Sequence, residues 1–233
     1  MEIPHYRLTR LKGKIVAIDG PAGSGKSTTA RLLAAALGFQ YLDTGAMYRA
    51  LTWLAHENGV APSDGPKLAA LAASVLIEFE THEDINRVKI NGRDVTTEIR
   101  TPQVTAAVSE VSAHKGVRKA MVQKQKEIGK KGSIVAEGRD TTTVVFPDAD
   151  FKFYMDASVK ERAQRRLIDL VKAGTPATLE EVEKRIEERD AYDSGRKHSP
   201  LTRAKDAWVV DTTKMTIEEQ TQFMISIIKK SLK

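Results

Sequence analysis

The chain has 233 residues, 41% of them hydrophobic and 29% charged, with no cysteine and a formal net charge of +6. That balance fits one soluble globular domain with a sizeable core, and the missing cysteine excludes a disulfide framework, a thiolate metal site and a cysteine nucleophile. The basic stretch Met1–Lys14 has no apolar run of the kind a secretory signal needs, and the longest apolar stretch, about residues 68–77, is too short and alanine-rich to span a bilayer, so no membrane partner and a cytoplasmic location are expected.

In chain order, Lys14–Asp19 reads as a short buried strand. Residues 20–27 read Gly-Pro-Ala-Gly-Ser-Gly-Lys-Ser, and Thr28–Leu37 carries apolar residues at helical spacing until Gly38. A strand at 41–43 follows, with Thr44 as N-cap of a helix over 45–58 that Gly59 stops. Residues 62–100 break the pattern with a short alanine-rich helix, a strand near 75–79 and Val88-Lys89-Ile90 before Asn91-Gly92, a strong hairpin signal. This stretch reads as a small inserted α/β lobe rather than a surface excursion. From 102 to 129 the pattern is helical, with Val104, Ala107, Val108 and Val111 on one stripe. Strands at 133–136 and 151–155, charged helices at 158–173 and from 179 to about 190, a strand at 208–210 and a helix at 217–229 complete the chain. This alternation predicts a parallel sheet with helices on both faces, in a single domain whose core spans about 13–61, 101–157 and 175–233. Trp53 and Trp208 are expected in the core.

The pattern G-x-x-x-x-G-K-S between a strand and a helix is a phosphate loop. Gly20, Gly23 and Gly25 let successive N–H groups turn inward, and Pro21, Ala22, Ser24 and Thr28 complete a cradle at the positive end of the helix. Lys26 brings a point charge to the outer phosphates of a nucleoside triphosphate, and Ser27 offers a hydroxyl to Mg²⁺. No Asn-Lys-x-Asp guanine-reading motif is present. In an open parallel sheet ligands bind beyond the carboxyl ends of the strands, which places Thr44, Tyr48 and Arg49 after one strand, and Glu137, Arg139 and Asp140 after another, as candidates. Glu137 stands where a carboxylate near Mg²⁺ is expected, directly or through water. Arg139 has the planar fork suited to phosphate.

Arg162, Arg165 and Arg166 share a helix face by spacing, and suit a lid over transferring phosphate; a solvated face paired with Glu161 is the plainer reading. Arg189, Asp193 and Arg196 form either an ion-pair network or a sugar- and base-reading group. The five histidines show no metal-ligand spacing. Basic residues are interleaved with acidic ones, so the charge suits small polyanions better than nucleic acid.

Taken together and in order, GPAGSGKST, YLDTGAMYRA, the helical stretch around Ser109 and Arg118, EGRD followed by TVVFPDA, ERAQRR, and ERDAYDSGRKHSPL resemble the bacterial cytidylate kinases. The resemblance runs from about Lys14 to the C-terminus. It implies a three-layer α/β/α fold with a parallel five-stranded core, an inserted lobe at about 62–100 and a helical lid at about 158–174. It further implies a monomer that moves the γ-phosphate of ATP to CMP or dCMP with Mg²⁺, by direct in-line transfer. On that resemblance Lys26, Arg139, Arg162 and Arg166 are catalytic. Arg49 and Arg139, with Tyr48 nearby, hold the acceptor phosphate. Thr44, Arg118, Asp140 and Arg196 surround the cytosine, and Ser109, Arg189 and Asp193 face the sugar. A carboxylate can accept from the exocyclic amine of cytosine, whereas uracil would oppose it with a carbonyl, a mismatch costing about 1–3 kcal/mol. Two positions depart from the family pattern. Glu137 replaces a common Asp, and β-branched Thr142, which resists positive φ, replaces a common glycine. Another small-molecule P-loop kinase, or a regulatory ATP-binding module without activity, are the alternatives.

Overall fold

The computed structural model describes residues 9–82, 85–172 and 174–231; the start of the basic N-terminal stretch lies outside them. In chain order the elements are β1 (Ile15–Asp19), α1 (Lys26–Leu37), β2 (Gln40–Asp43), α2 (Thr44–Glu57), α3 (Gly65–Ser74), β3 (Ile77–His82), β4 (Ile85–Ile90) and β5 (Arg93–Asp94). There follow α4 (Pro102–Ala113), α5 (Lys115–Gly129), β6 (Ile134–Gly138), β7 (Phe151–Asp156), α6 (Val159–Lys172), α7 (Leu179–Ser194), β8 (Trp208–Asp211) and α8 (Ile217–Lys230). The chain divides into two compact units, one built from the residues up to Tyr41 and from Lys131 onward, the other from Leu42–Lys130.

The central parallel sheet has the strand order β2-β6-β1-β7-β8, with helices flanking it. Its inner strands read as apolar runs because both faces are covered. Val16 and Ile18 of β1, Val135 of β6 and Phe153 of β7 are fully buried, and Leu33 of α1 and Met224 and Ile228 of α8 pack in the same cluster. From β1 the chain fills one side of the sheet, then crosses to the other side for β7 and β8, so the ends of β1, β6 and β7 frame the switch point where ligands bind in such sheets. The helix boundaries follow local chemistry. Gly38, at φ 66°, closes α1 while Phe39 N–H returns to Ala34 O at 2.9 Å, a left-handed cap that glycine adopts without strain. Reciprocal capping boxes, Thr178 with Glu181 and Thr216 with Glu219, open α7 and α8. Ala163 of α6 meets Val182 and Ile186 of α7 in a small separate core.

In the second unit β3, β4 and β5 form an antiparallel sheet. The expected hairpin is there: Asn91 and Gly92 take φ of 50° and 81° between paired Ile90 and Arg93, as a type I′ turn requires. α3 packs against α5 at Gly116, where an added Cβ would lie 2.6 Å from Ala69 Cβ.

Three expectations change. The helical stretch 102–129 is two helices, because His114 at φ −64° and ψ 126° leaves helical geometry and sends its ring to Pro62 O at 2.8 Å. The N-cap of α2 is Asp43, not Thr44: its carboxylate accepts from Ala46 N–H at 2.8 Å. Trp53 is buried, but Trp208 is 54% exposed, since β8 is the edge strand and only Val210 of its four residues faces the core.

Candidate active site

The loop from Gly20 to Gly25 joins β1 to α1 as the motif predicts, and its glycines serve close approaches. A Cβ on Gly20 would sit 2.0 Å from Met155 O of β7, and one on Gly23 would sit 3.0 Å from Arg162 Cβ. Gly25 caps α1 at φ 89°. Lys26 is buried and donates from Nζ to Pro21 O at 2.7 Å, which also accepts from Ser24 Oγ at 3.1 Å. Burial, and then the positive charge of Arg139, push the Lys26 ammonium down to about 7, against the opposing pull of Glu137 and Asp19. Ser27 and Thr28 stand exposed on the first turn of α1. Thr29, one residue further, donates from Oγ1 to Gln220 Oε1 of α8 at 2.7 Å, fixing the helix that carries the loop.

Glu137 lies near the end of β6, beside β1 in register with Ile18. It is buried, and its Oε1 accepts from Ser27 Oγ at 2.6 Å and Tyr41 Oη at 3.3 Å. A hydroxyl and a carboxylate at this separation suit a hard cation such as Mg²⁺, which takes one or two protein oxygens and completes its shell with phosphate and water. Among the described residues no group of three or more His, Cys, Asp or Glu forms a self-sufficient metal site.

Arg139 donates from Nε to Asp193 Oδ2 at 2.9 Å, Arg196 donates from Nη2 to Asp193 Oδ1, and Arg189 Nε lies 4.0 Å from the same carboxylate. Asp193 is only 1% exposed. Burial works against its charge, but the three arginines, led by Arg139, outweigh it and hold the carboxyl below the ordinary range. Burial likewise opposes the Arg139 charge, but Asp193, joined by Glu137 and Asp190, more than offsets it. Arg139 thus joins Arg189, Asp193 and Arg196, neighbours at the end of α7, in one cationic cluster organised by a single carboxylate. Asp140 is buried at the head of a five-residue π-type turn, Thr141–Val145, and its carbonyl accepts from Val144 and Val145 N–H. Thr142 has no positive φ there; the turn stays right-handed, so a β-branched residue fits without strain.

The three arginines of α6 part company. Arg162 is buried and donates to Ala157 O at 2.9 Å, to Ala22 O of the donor loop at 3.0 Å and to Asp190 Oδ2 at 2.6 Å. Arg165 pairs with Glu161 and donates from Nη1 and Nη2 to Thr212 Oγ1 and O, and Thr212 in turn donates to Ser24 O at 3.0 Å. Arg166 is exposed. A face shared in spacing is thus split by depth, and Arg165, not singled out for catalysis in the sequence, is tied to the loop through Thr212. Asp190 and Thr212 carried no sequence signal of their own. Asp19 did not either, yet its fully buried carboxylate accepts four hydrogen bonds, from the N–H and hydroxyl of both Thr141 and Thr142.

The other predicted residues belong to the second unit. Thr44 begins α2 and is buried, as is Tyr48, over whose ring Arg118 lies 5.2 Å from the centroid. Arg118, itself buried, donates from Nη1 to Ser112 O at 3.1 Å. Arg49 donates to Thr105 Oγ1 of α4 at 3.2 Å, and Ser109 sits half-buried on the same helix.

A parallel sheet that delivers a glycine loop from its first strand onto a helix, with arginines packed against that loop, is the architecture of the P-loop kinases, and fold and site together assign the chain to this class. Within the class it belongs to the cytidylate kinase family, whose model matches residues 16–230. The chain is 45% identical to a cytidylate kinase of Citrifermentans bemidjiense over 96% of this chain and 96% of that protein. It is 46% identical to one of Geobacter sulfurreducens over 94% of each. A bifunctional pantoate ligase/cytidylate kinase of Prochlorococcus marinus is 48% identical over 95% of this chain, which spans 43% of that longer protein.

Proposed function

We propose that the chain transfers the γ-phosphoryl group of ATP to CMP or dCMP, giving ADP and CDP or dCDP. One observation carries the reading. The donor loop and the Glu137-Gly138-Arg139-Asp140 segment leave adjacent parallel strands at the same level, Asp19 being paired with Gly138. A triphosphate held by the loop and an acceptor phosphate held by Arg139 then lie side by side, as direct transfer needs. The positive end of α1, Lys26, Arg162 and Arg165 neutralise charge on the donor, and triphosphate supplies the negative charge that keeps Lys26 protonated. Ser27, with Glu137 beside it, would hold Mg²⁺, which would further neutralise the phosphates. Catalysis comes from position and charge, with no covalent enzyme intermediate. Within the cluster, Arg139 holds the acceptor's phosphate and Arg189 and Asp193 face its sugar, while Arg196 and Asp140 face the cytosine, Asp140 accepting from its amine. In the second unit we assign acceptor contacts to Thr44, Tyr48, Arg49, Ser109 and Arg118 from the family resemblance. Arg166, exposed on α6, keeps its proposed catalytic role on the same ground.

No helix among the described residues is long and apolar enough to cross a membrane; we place the reaction in the cytoplasm, carried out by a monomer. The test is ADP release with ATP and Mg²⁺ against a panel of CMP, dCMP, UMP, AMP and non-nucleotide alcohols. Selective turnover of CMP and dCMP is expected. Turnover of a different acceptor would make the chain another P-loop kinase, and ADP release with none would leave an ATP-binding module. Asp140→Ala is expected to narrow the CMP-over-UMP ratio by about tenfold, and an unchanged ratio would place cytosine reading elsewhere.

A further inference from the structure

Asp19 ends β1 and directly precedes the donor loop, and its carboxylate is fully buried. Oδ1 accepts from Thr141 N at 2.8 Å and Thr141 Oγ1 at 2.6 Å, and Oδ2 accepts from Thr142 N at 2.7 Å and Thr142 Oγ1 at 2.6 Å. Each oxygen thus receives one backbone and one hydroxyl donor. These donors follow Arg139 and Asp140 in sequence without a gap. A buried carboxylate is costly, and an apolar side chain of similar size is often no worse for stability. Burial does push the Asp19 carboxyl above the ordinary range, with the four hydrogen bonds opposing. What the carboxylate adds is geometry. It spans from the root of the donor loop to the π-type turn behind the acceptor arginine, and π-type turns are frequent at functional sites.

We propose that Asp19, Thr141 and Thr142 form a positioning clamp that holds Arg139 and Asp140 at a set distance from the donor loop. The inference rests on the proposed function, which supplies the acceptor to be positioned. The donor loop has its own fastenings, Lys26 and Ser24 on Pro21 O and Gly20 against Met155 O. Release of the clamp therefore acts on the acceptor side first. The two hydroxyls set how firmly the turn is held, since the backbone donors persist in any substitution.

The test replaces both hydroxyls while keeping shape, Thr141→Val with Thr142→Val, and restores them with Thr141→Ser and Thr142→Ser. In the valine pair the KM for CMP is expected to rise about tenfold with a fall in kcat, while the KM for ATP stays within about twofold. The serine pair is expected to recover the wild-type values. Kinetics within about twofold of wild type in the valine pair, or an equal rise in both KM values, or no recovery with serine, would overturn the clamp. Amide hydrogen exchange is measured alongside, and should the valine pair not fold, on Thr142→Val alone. Residues 139–145 are expected to exchange faster in the valine variant and to recover with serine, with α1 unchanged; equal protection would overturn the clamp. Exchange needs no acceptor, so a wild-type chain inert towards CMP would sink the proposed function while the exchange result still decides the clamp.

Discussion

Lys26 must be positive to meet phosphate, yet it is buried and its pKa lies near 7. Its folded value is below the ordinary 10.5, so the unfolded chain binds more protons between these two values and stability rises with pH across that window. Lys26→Met removes the buried charge. It is expected to unfold at a higher temperature than wild type at pH 7, by about 1–2 kcal/mol of stability, with the gap shrinking as pH approaches 10. The same variant is expected to lose about 100- to 1,000-fold in turnover. A gap independent of pH would show that Lys26 keeps its proton throughout. Asp193 has the opposite sign. Its folded pKa is depressed below 3.8, so its stabilisation is complete above that value and is lost as pH falls through the folded one. Asp193→Asn leaves Arg139, Arg189 and Arg196 crowded without their counter-charge, and about 2–3 kcal/mol should be lost at pH 7. Chemical denaturation should show the difference from wild type closing only below about pH 4.

Packing between elements decides more than propensity does. Gly116 is the second residue of α5, where the helix-propensity gain of alanine is small, while a Cβ there meets Ala69 of α3 at 2.6 Å. Gly116→Ala is therefore expected to destabilise by about 1–2 kcal/mol, read as a lower denaturant midpoint. A neutral single variant would show that α3 moves aside freely. Elements with local signals were legible in the sequence. The phosphate loop has glycines at fixed offsets, the Asn91-Gly92 turn needs two positive φ values, and Gly38 marks a helix end. Elements without such signals are not legible there. Nothing local separates α4 from α5, because His114 leaves the helix to reach Pro62 O, a bond between residues 52 apart. Trp208 sits in a strand pattern that predicts burial, but burial depends on sheet order, and β8 lies at the edge.

At the scale of the molecule, net charge of +6 draws in polyanions, and ligand binding couples to folding by mass action. ATP with Mg²⁺ at about a hundred times its Kd should add about 2.7 kcal/mol to stability, read as a rise in melting temperature that Lys26→Met abolishes; no rise would contradict the donor site. The amino-acid sequence by itself determined the phosphate loop, the alternation that yields a parallel sheet, and the family, because these rest on residues close together or on motifs in order. Only the tertiary structure decided which charges act together. Arg139 and Asp193 lie 54 residues apart, Asp19 and Thr142 lie 123 apart, and Arg162, Arg165 and Arg166, neighbours on one helix, end up at three different depths. Spacing along a chain sets which side of a helix a residue is on. The partner that buries that side, and so the electrostatic setting of the charge, comes from elements folded against it.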